Sequence, residues 1–349
     1  LLRFANRPLS ATRLLSTIAI ALVAALGCAL VGLGWGSSDL GAGQIIRGLL
    51  TNSLDPMQQT ILLNARVPRV LFAAVVGAAL ASSGAVFQTV LRNPLADPYI
   101  LGVSGGAALG GTLFLTLGSA ALGGFVFGVP AAAFVGALGA LALIFGVERW
   151  TPAGRTSNYV LLLTGVVFNA FASAIIMFLK SIVSAQKAQE LLFYLMGSLA
   201  VEGMALSTLL GCAAAVTLCI LGLIWFARDL NAISLGDDDA ATLGVDVARV
   251  RWWTVLISSI AVAVAVAFSG LIGFVGLVVP HGVRLLVGPD HRVLIPTCAI
   301  AGAGFLILSD LIARSVFGLF SSTLPVGVIT ALIGAPLFVF FLWRSMRPT

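Results

Sequence analysis

Residues 235–246 read LGDDDAATLGVD. Three consecutive aspartates stand in a chain of which only 9% of residues are charged. So polar an interruption in so apolar a chain calls for a reason. The two histidines, His281 and His291, read as boundary residues in a polar loop, with His281 the one conceivable metal or haem ligand. The four cysteines, Cys28, Cys212, Cys219 and Cys298, lie inside apolar runs as small buried hydrophobes and have no metal-site spacing. No catalytic or metal site is expected. If the chain is a transporter that lacks an energy source of its own, the polar stretch reads as a surface for another subunit.

The local signals support such a surface. A short helix is expected from Asp237 to Leu243, with the aspartates in the first turn, where they suit the helix dipole. Gly244 is a natural stop. A second short turn, Val245 to Val250, is expected to lead back into apolar sequence. Together the two would form a rigid knob; the plainer alternative is a solvated linker. A second constellation is cationic. Arg66 and Arg69 flank Val67 and Pro68 at the mouth of one apolar run, and Arg314 ends another. Arginine at such a rim either snorkels to the interface or pairs bidentately with a partner's carboxylate.

The elements that carry these residues are apolar. The chain of 349 residues is 60% hydrophobic, and its mean hydropathy is +1.11. A soluble domain has about half its residues apolar and about a quarter charged. Runs of about 20 apolar residues suit helices that cross a bilayer, whereas a barrel would alternate in short segments. The expectation is one all-α membrane domain, 1–349. Ten spans are predicted, at 14–34, 70–91, 99–118, 124–147, 158–179, 204–227, 251–269, 272–287, 296–315 and 326–343, with the polar knob between the sixth and seventh. The first run continues past Cys28 and reads as a span rather than a cleaved leader. Segments near 42–54 and 189–200 read as short surface helices. The eighth span is short, opened by Gly270, Gly273 and Gly276 and ended by Pro280. "RNPLADP" (92–98) breaks the chain between the second and third spans.

With both termini in the cytoplasm, most of the 19 basic residues fall inside, so the +6 charge reflects the positive-inside bias and not nucleic-acid binding. Gly102, Gly106 and Gly110, at four-residue spacing, suit close helix packing. Faint echoes between 70–180 and 251–343 suggest two four-helix units of opposite orientation.

Ten spans suggest transport, yet the chain has no GxxxxGK[ST] phosphate loop, and no carboxylate falls mid-span to carry a coupling ion. The energy source should therefore be another subunit. An ion-coupled carrier acting alone is the first alternative, and a structural or assembly protein the second.

Three long stretches carry a resemblance: 64–110, which begins NARVPRVLFAAVVGAAL, GLIGFVGLVVPHGVRLLVGPDHR (270–292) and LPVGVITALIGAPLFVFFL (324–342). They resemble the permeases that import iron chelates, haem and cobalamin, type II ABC importers that depend on a binding protein. The polar loop resembles their coupling loop. That loop reads Glu-Ala-Ala, three residues, Gly; here Asp239, Ala240 and Ala241 are followed by two residues and Gly244, a departure in residue and spacing.

The resemblance implies a homodimer in the bacterial inner membrane, two ATP-binding subunits and a periplasmic binding protein. It implies no cofactor on this chain, Mg-ATP being held by the partner. It assigns ATPase coupling to Leu235, Gly236, Asp237, Asp238, Asp239, Ala240, Ala241 and Gly244. Docking of the binding protein falls to Arg66, Arg69 and Arg314. The fifth and tenth spans would line the pathway, with Phe168, Asn169 and Ser173 as candidates. The expected cargo is an iron chelate, haem included, with cobalamin the alternative.

Overall fold

The computed structural model describes residues 11–34, 55–99, 101–118, 128–150, 158–201, 203–315 and 324–345. The described residues form helices and turns. Among the described residues, seven helices are long and apolar enough to cross a membrane, and three apolar helices are shorter. Each of the seven contains most of one predicted span, and so do the three short ones for 99–118, 272–287 and 326–343.

The helices are α1 (Ala11–Gly34), α2 (Pro56–Val90), α3 (Val103–Gly118), α4 (Gly128–Trp150), α5 (Asn158–Ile182), α6 (Ala185–Met196) and α7 (Leu206–Trp225). Then come two very short ones, α8 (Ala227–Ile233) and α9 (Asp237–Thr242). The chain continues with α10 (Val247–Ser269), α11 (Val275–Val287), α12 (His291–Ser315) and α13 (Val326–Ser345). The surface helix expected near 189–200 is α6; the one near 42–54 lies outside the described residues.

Three expectations need correction. The second span does not begin near residue 70. Its helix starts at Pro56 and passes through a π-turn, Leu62–Arg66, before Val67. Pro68 has no N–H to give one turn back, and a local widening of the helix accommodates that. Nor does a separate turn occupy 245–250. Asp246 accepts the Arg249 backbone N–H at 3.1 Å and caps a helix that runs without a break from Val247 to Ser269. The second short helix of the knob is α8, which precedes α9. Finally, Pro280 does not end the eighth span. It sits inside α11, so His281 is helical rather than in a loop. Proline is tolerated in a spanning helix when neighbours re-satisfy the freed backbone.

The internal echo has a structural counterpart. Each half is a set of four with a short second helix: α2, α3, α4, α5 and α10, α11, α12, α13. Each short helix is entered through a left-handed residue, Gly102 at φ 77° and Phe274 at φ 68°. The opening helices are exchanged. α2 packs chiefly on α12, α10 and α11 of the second half, and α10 packs on α2, α4 and α3 of the first.

Small residues make these contacts possible. Gly77 faces the Gly302 carbonyl, and Gly84 faces the Gly276 carbonyl, with no room for a Cβ at either. Gly106 and Gly110 of α3 lie likewise on Gly136 and Ala132 of α4. Lipid competes for apolar contacts, so close backbone approach is what associates such helices. Gly102 differs from the other two expected packing glycines: it precedes the helix and supplies the turn into it.

Candidate functional site

α9 is defined by its ends. Gly236 (φ 150°) and Gly244 (φ 83°) adopt conformations that side-chain-bearing residues rarely reach. The C-terminus closes as a Schellman motif: Val245 N–H donates to Ala240 O and Gly244 N–H to Ala241 O, both at 3.0 Å. One face is pinned inward, where Ala240 is fully buried against Ile233 and Val250. The opposite face is open. Leu235 and Leu243 are 68% and 65% exposed, and Asp238, Asp239, Ala241 and Gly244 are exposed beside them.

Asp237 does something else. Its carboxylate receives Arg92 at 2.5 Å and Arg251 at 3.0 and 3.1 Å. Arg92 follows the end of α2 and Arg251 lies in the first turn or so of α10. One side chain of the knob therefore ties it to the opening helix of both four-helix halves. Arg92 adopts a left-handed φ of 48°, a conformation that costs an ordinary residue about 1–2 kcal/mol. That turn brings its guanidinium to Asp237 and to Ile233 O.

The cationic constellation lies far from this tie, where α2 leaves its π-turn. Arg69 and Arg92 are roughly 34 Å apart along a helix rising 1.5 Å per residue, about the thickness of a bilayer's hydrocarbon core. Arg69 donates three hydrogen bonds to Asp310, at 2.8, 3.0 and 3.1 Å. Arg314 pairs with the same carboxylate at 2.9 Å. Arg66 is buried and donates to Leu33 O at 2.6 Å, at the end of α1. The three arginines thus meet, but they are drawn inward: side-chain exposure is 21% for Arg69, 10% for Arg314 and 2% for Asp310. Asp310 was overlooked as their partner. Its position four residues before Arg314 on one helix was the available signal.

Of the pathway candidates, Phe168 and Asn169 pack on the turn that leads into α3, and Ser173 stands apart from it. Phe168 is half-buried against Gly102. Asn169 donates to Tyr99 O at 2.7 Å and braces the turn before α3. Ser173 is exposed on α5. His281 packs between Phe338 and Phe341 of α13, at centroid distances of 6.1 and 5.8 Å.

Two carboxylates outside the spans are perturbed in opposite directions. Burial pushes Asp97 up to about 6, against one hydrogen bond from Tyr99 N–H. At Asp290 burial also opposes the charge, but hydrogen bonds from Arg292 and Asn231 outweigh it and hold the group at about 2.

Residues 15–344 match the FecCD transport family. The chain belongs to that family. FecCD proteins are the membrane-spanning permease subunits of ABC importers, are not themselves catalytic, and work with ATPase and binding-protein partners. This FecCD chain is 44% identical over 287 residues to the cobalamin import system permease protein BtuC of Halobacterium salinarum, covering 81% of this chain and 73% of that one. It is 41% identical over 326 residues to the hemin transport system permease protein HmuU of Yersinia pestis, covering 91% and 93%. A solved inward-facing conformation of a metal-chelate type ABC transporter is similar at a TM-score of 0.81 and 34% identity, covering 94% of this chain and 99% of that one.

Proposed function

We propose that this chain is the permease of an importer that moves a bulky metal chelate, an iron chelate or haem, from periplasm to cytoplasm by ATP-driven alternating access. Two copies would surround the pathway in the bacterial inner membrane, with both termini in the cytoplasm. Two ATPase subunits would dock on the α8–α9 knobs. The observation that carries this reading is Asp237. A knob with an open face bearing Leu235 and Leu243 is tied to the ends of α2 and α10, so force applied to the knob reaches both halves of the subunit. Cobalamin is supported equally by the relatives, and it is the second cargo to test.

In this reading the aspartates carry no ion and no proton. Asp238 and Asp239 face the partner, and Asp237 holds the knob to the spans. Arg66, Arg69 and Arg314 would give the periplasmic face its positive potential, steering acidic groups of the binding protein. Mg-ATP stays on the partner subunits.

The test is ATP hydrolysis in liposomes by the chain assembled with its ATPase. Binding protein loaded with haem, a ferric chelate or cobalamin is added in turn. One loaded form stimulates hydrolysis and names the cargo. Deleting residues 237–244 abolishes ATPase association. Substrate uptake that persists without ATP and collapses with a protonophore would instead support an ion-coupled carrier.

A further inference from the structure

A polar chain, buried at Thr89 and His291 and half-buried at Asn231, joins the knob to the helices behind it. Asn231, on α8, uses both ends of its amide. Its Oδ1 accepts the His291 backbone N–H at 2.8 Å and lies 2.6 Å from His291 Nδ1. Its Nδ2 donates to Asp290 Oδ1 at 2.8 Å. His291 Nε2 lies 2.6 Å from Thr89 Oγ1, at the end of α2.

The proton arrangement follows from the acceptors. Asn231 Oδ1 requires a hydrogen on Nδ1, so a neutral His291 has a bare Nε2, which at 2.6 Å shares the single Thr89 hydroxyl hydrogen with Ala85 O at 2.9 Å. The Thr89 oxygen remains free to accept, and Arg284 Nη2 approaches it at 3.4 Å. His291 is only 1% exposed. Four elements, α8, α2, α11 and α12, meet in this one junction.

The junction differs in kind from the Asp237 tie. Arg251 is 10% exposed in that tie, but Arg92 is 39% and Asp237 43% exposed, so water and salt weaken its Arg92 arm. Thr89 and His291 are short and buried here, and Asn231 is half-buried beside them. Hydrogen bonds in such a setting are stiffer and electrostatically stronger. The helices they join are themselves locked together. α2 and α12 touch backbone to backbone at Gly77 and Gly302, and at the far end Arg69 of α2 holds Asp310 of α12.

We propose that Thr89, Asn231 and His291 are positioning residues that carry motion of the α8–α9 knob into the α2–α12 pair. Through that pair the motion reaches the Arg69–Asp310 cluster at the opposite end. The proposal rests on the permease reading and adds the route by which ATPase and binding protein sense each other. Coupling between two sites is reciprocal, so weakening the joint weakens both directions.

The test uses the full complex in liposomes. Thr89→Val removes the hydroxyl and keeps the shape, and Thr89→Ser keeps the hydroxyl. Asn231→Leu removes the amide. The expected result is that Thr89→Val and Asn231→Leu assemble with the ATPase and keep basal hydrolysis. Stimulation by loaded binding protein falls about fivefold or more, and Thr89→Ser retains it. The nucleotide-dependent change in binding-protein affinity shrinks by a like factor.

Unchanged stimulation in both variants overturns the proposal. So does equal loss in Thr89→Ser and Thr89→Val, or loss together with assembly, either of which makes the network a fold support only. A wild-type chain that binds no ATPase overturns the permease reading itself and is told apart from these outcomes by the wild-type control.

Discussion

Asp310→Asn tests what the buried arginines are for. The carboxylate is 2% exposed and is shared by Arg69 and Arg314. Asparagine keeps the size and removes the charge, leaving two guanidinium groups around one neutral acceptor. Breaking a buried ion pair costs about 3–5 kcal/mol. Arg69 is 21% exposed, so water recovers part of its loss, and about 3 kcal/mol is the expected cost. At roughly 2 °C per kcal/mol for a large domain, the apparent Tm in detergent falls by about 6 °C at fixed scan rate. A double-mutant cycle with Arg69→Met isolates the pair, with an expected coupling of about 2 kcal/mol. Additivity within about 0.5 kcal/mol would refute the reasoning. The ion pair would then be incidental, and Arg69 would be available to a partner without structural penalty.

Further outcomes follow from other sites. Gly84→Val drives a branched side chain into the Gly276 carbonyl and lowers Tm by several degrees or prevents accumulation, whereas the same change at Gly139, which faces open space, is tolerated. Leu243→Arg leaves the fold intact, because the residue is 65% exposed, yet it blocks co-purification of the ATPase. Asp97→Asn is stabilising at alkaline pH. The folded group titrates near 6 against an ordinary 3.8, so its contribution is fully favourable below about pH 4 and is lost as pH rises through 6. That difference corresponds to about 3 kcal/mol at pH 8 and vanishes near pH 4, as thermal melts at the two pH values will show.

Local signals made much of this legible. Gly236 and Gly244 bracket α9 in the sequence as they do in the structure, because a backbone at positive φ favours glycine. The apolar runs gave the spanning helices for the same reason: hydropathy over about 20 residues is a local property. What escaped was pairing over distance. Arg92 and Arg251 look like two more basic residues near span ends until Asp237 is brought between them. Asp310 looks like a carboxylate near a helix terminus until α2 delivers Arg69. The early start of α2 was hidden by Pro68, which reads as a boundary and is instead absorbed by a π-turn. His281 was misplaced for the related reason that Pro280 does not interrupt α11.

The exchange of opening helices between the two halves bears on how the chain is made. α2 enters the bilayer before α11 and α12 have been synthesised, so its glycine face waits without its native neighbours. The nascent first half is therefore not a finished unit; it becomes one only when the last third of the polypeptide arrives to occupy Gly77 and Gly84. Severed at the knob, the two halves would be expected to complement each other when produced together, and each alone would present an unfilled seam to lipid and to the quality-control machinery of the cell.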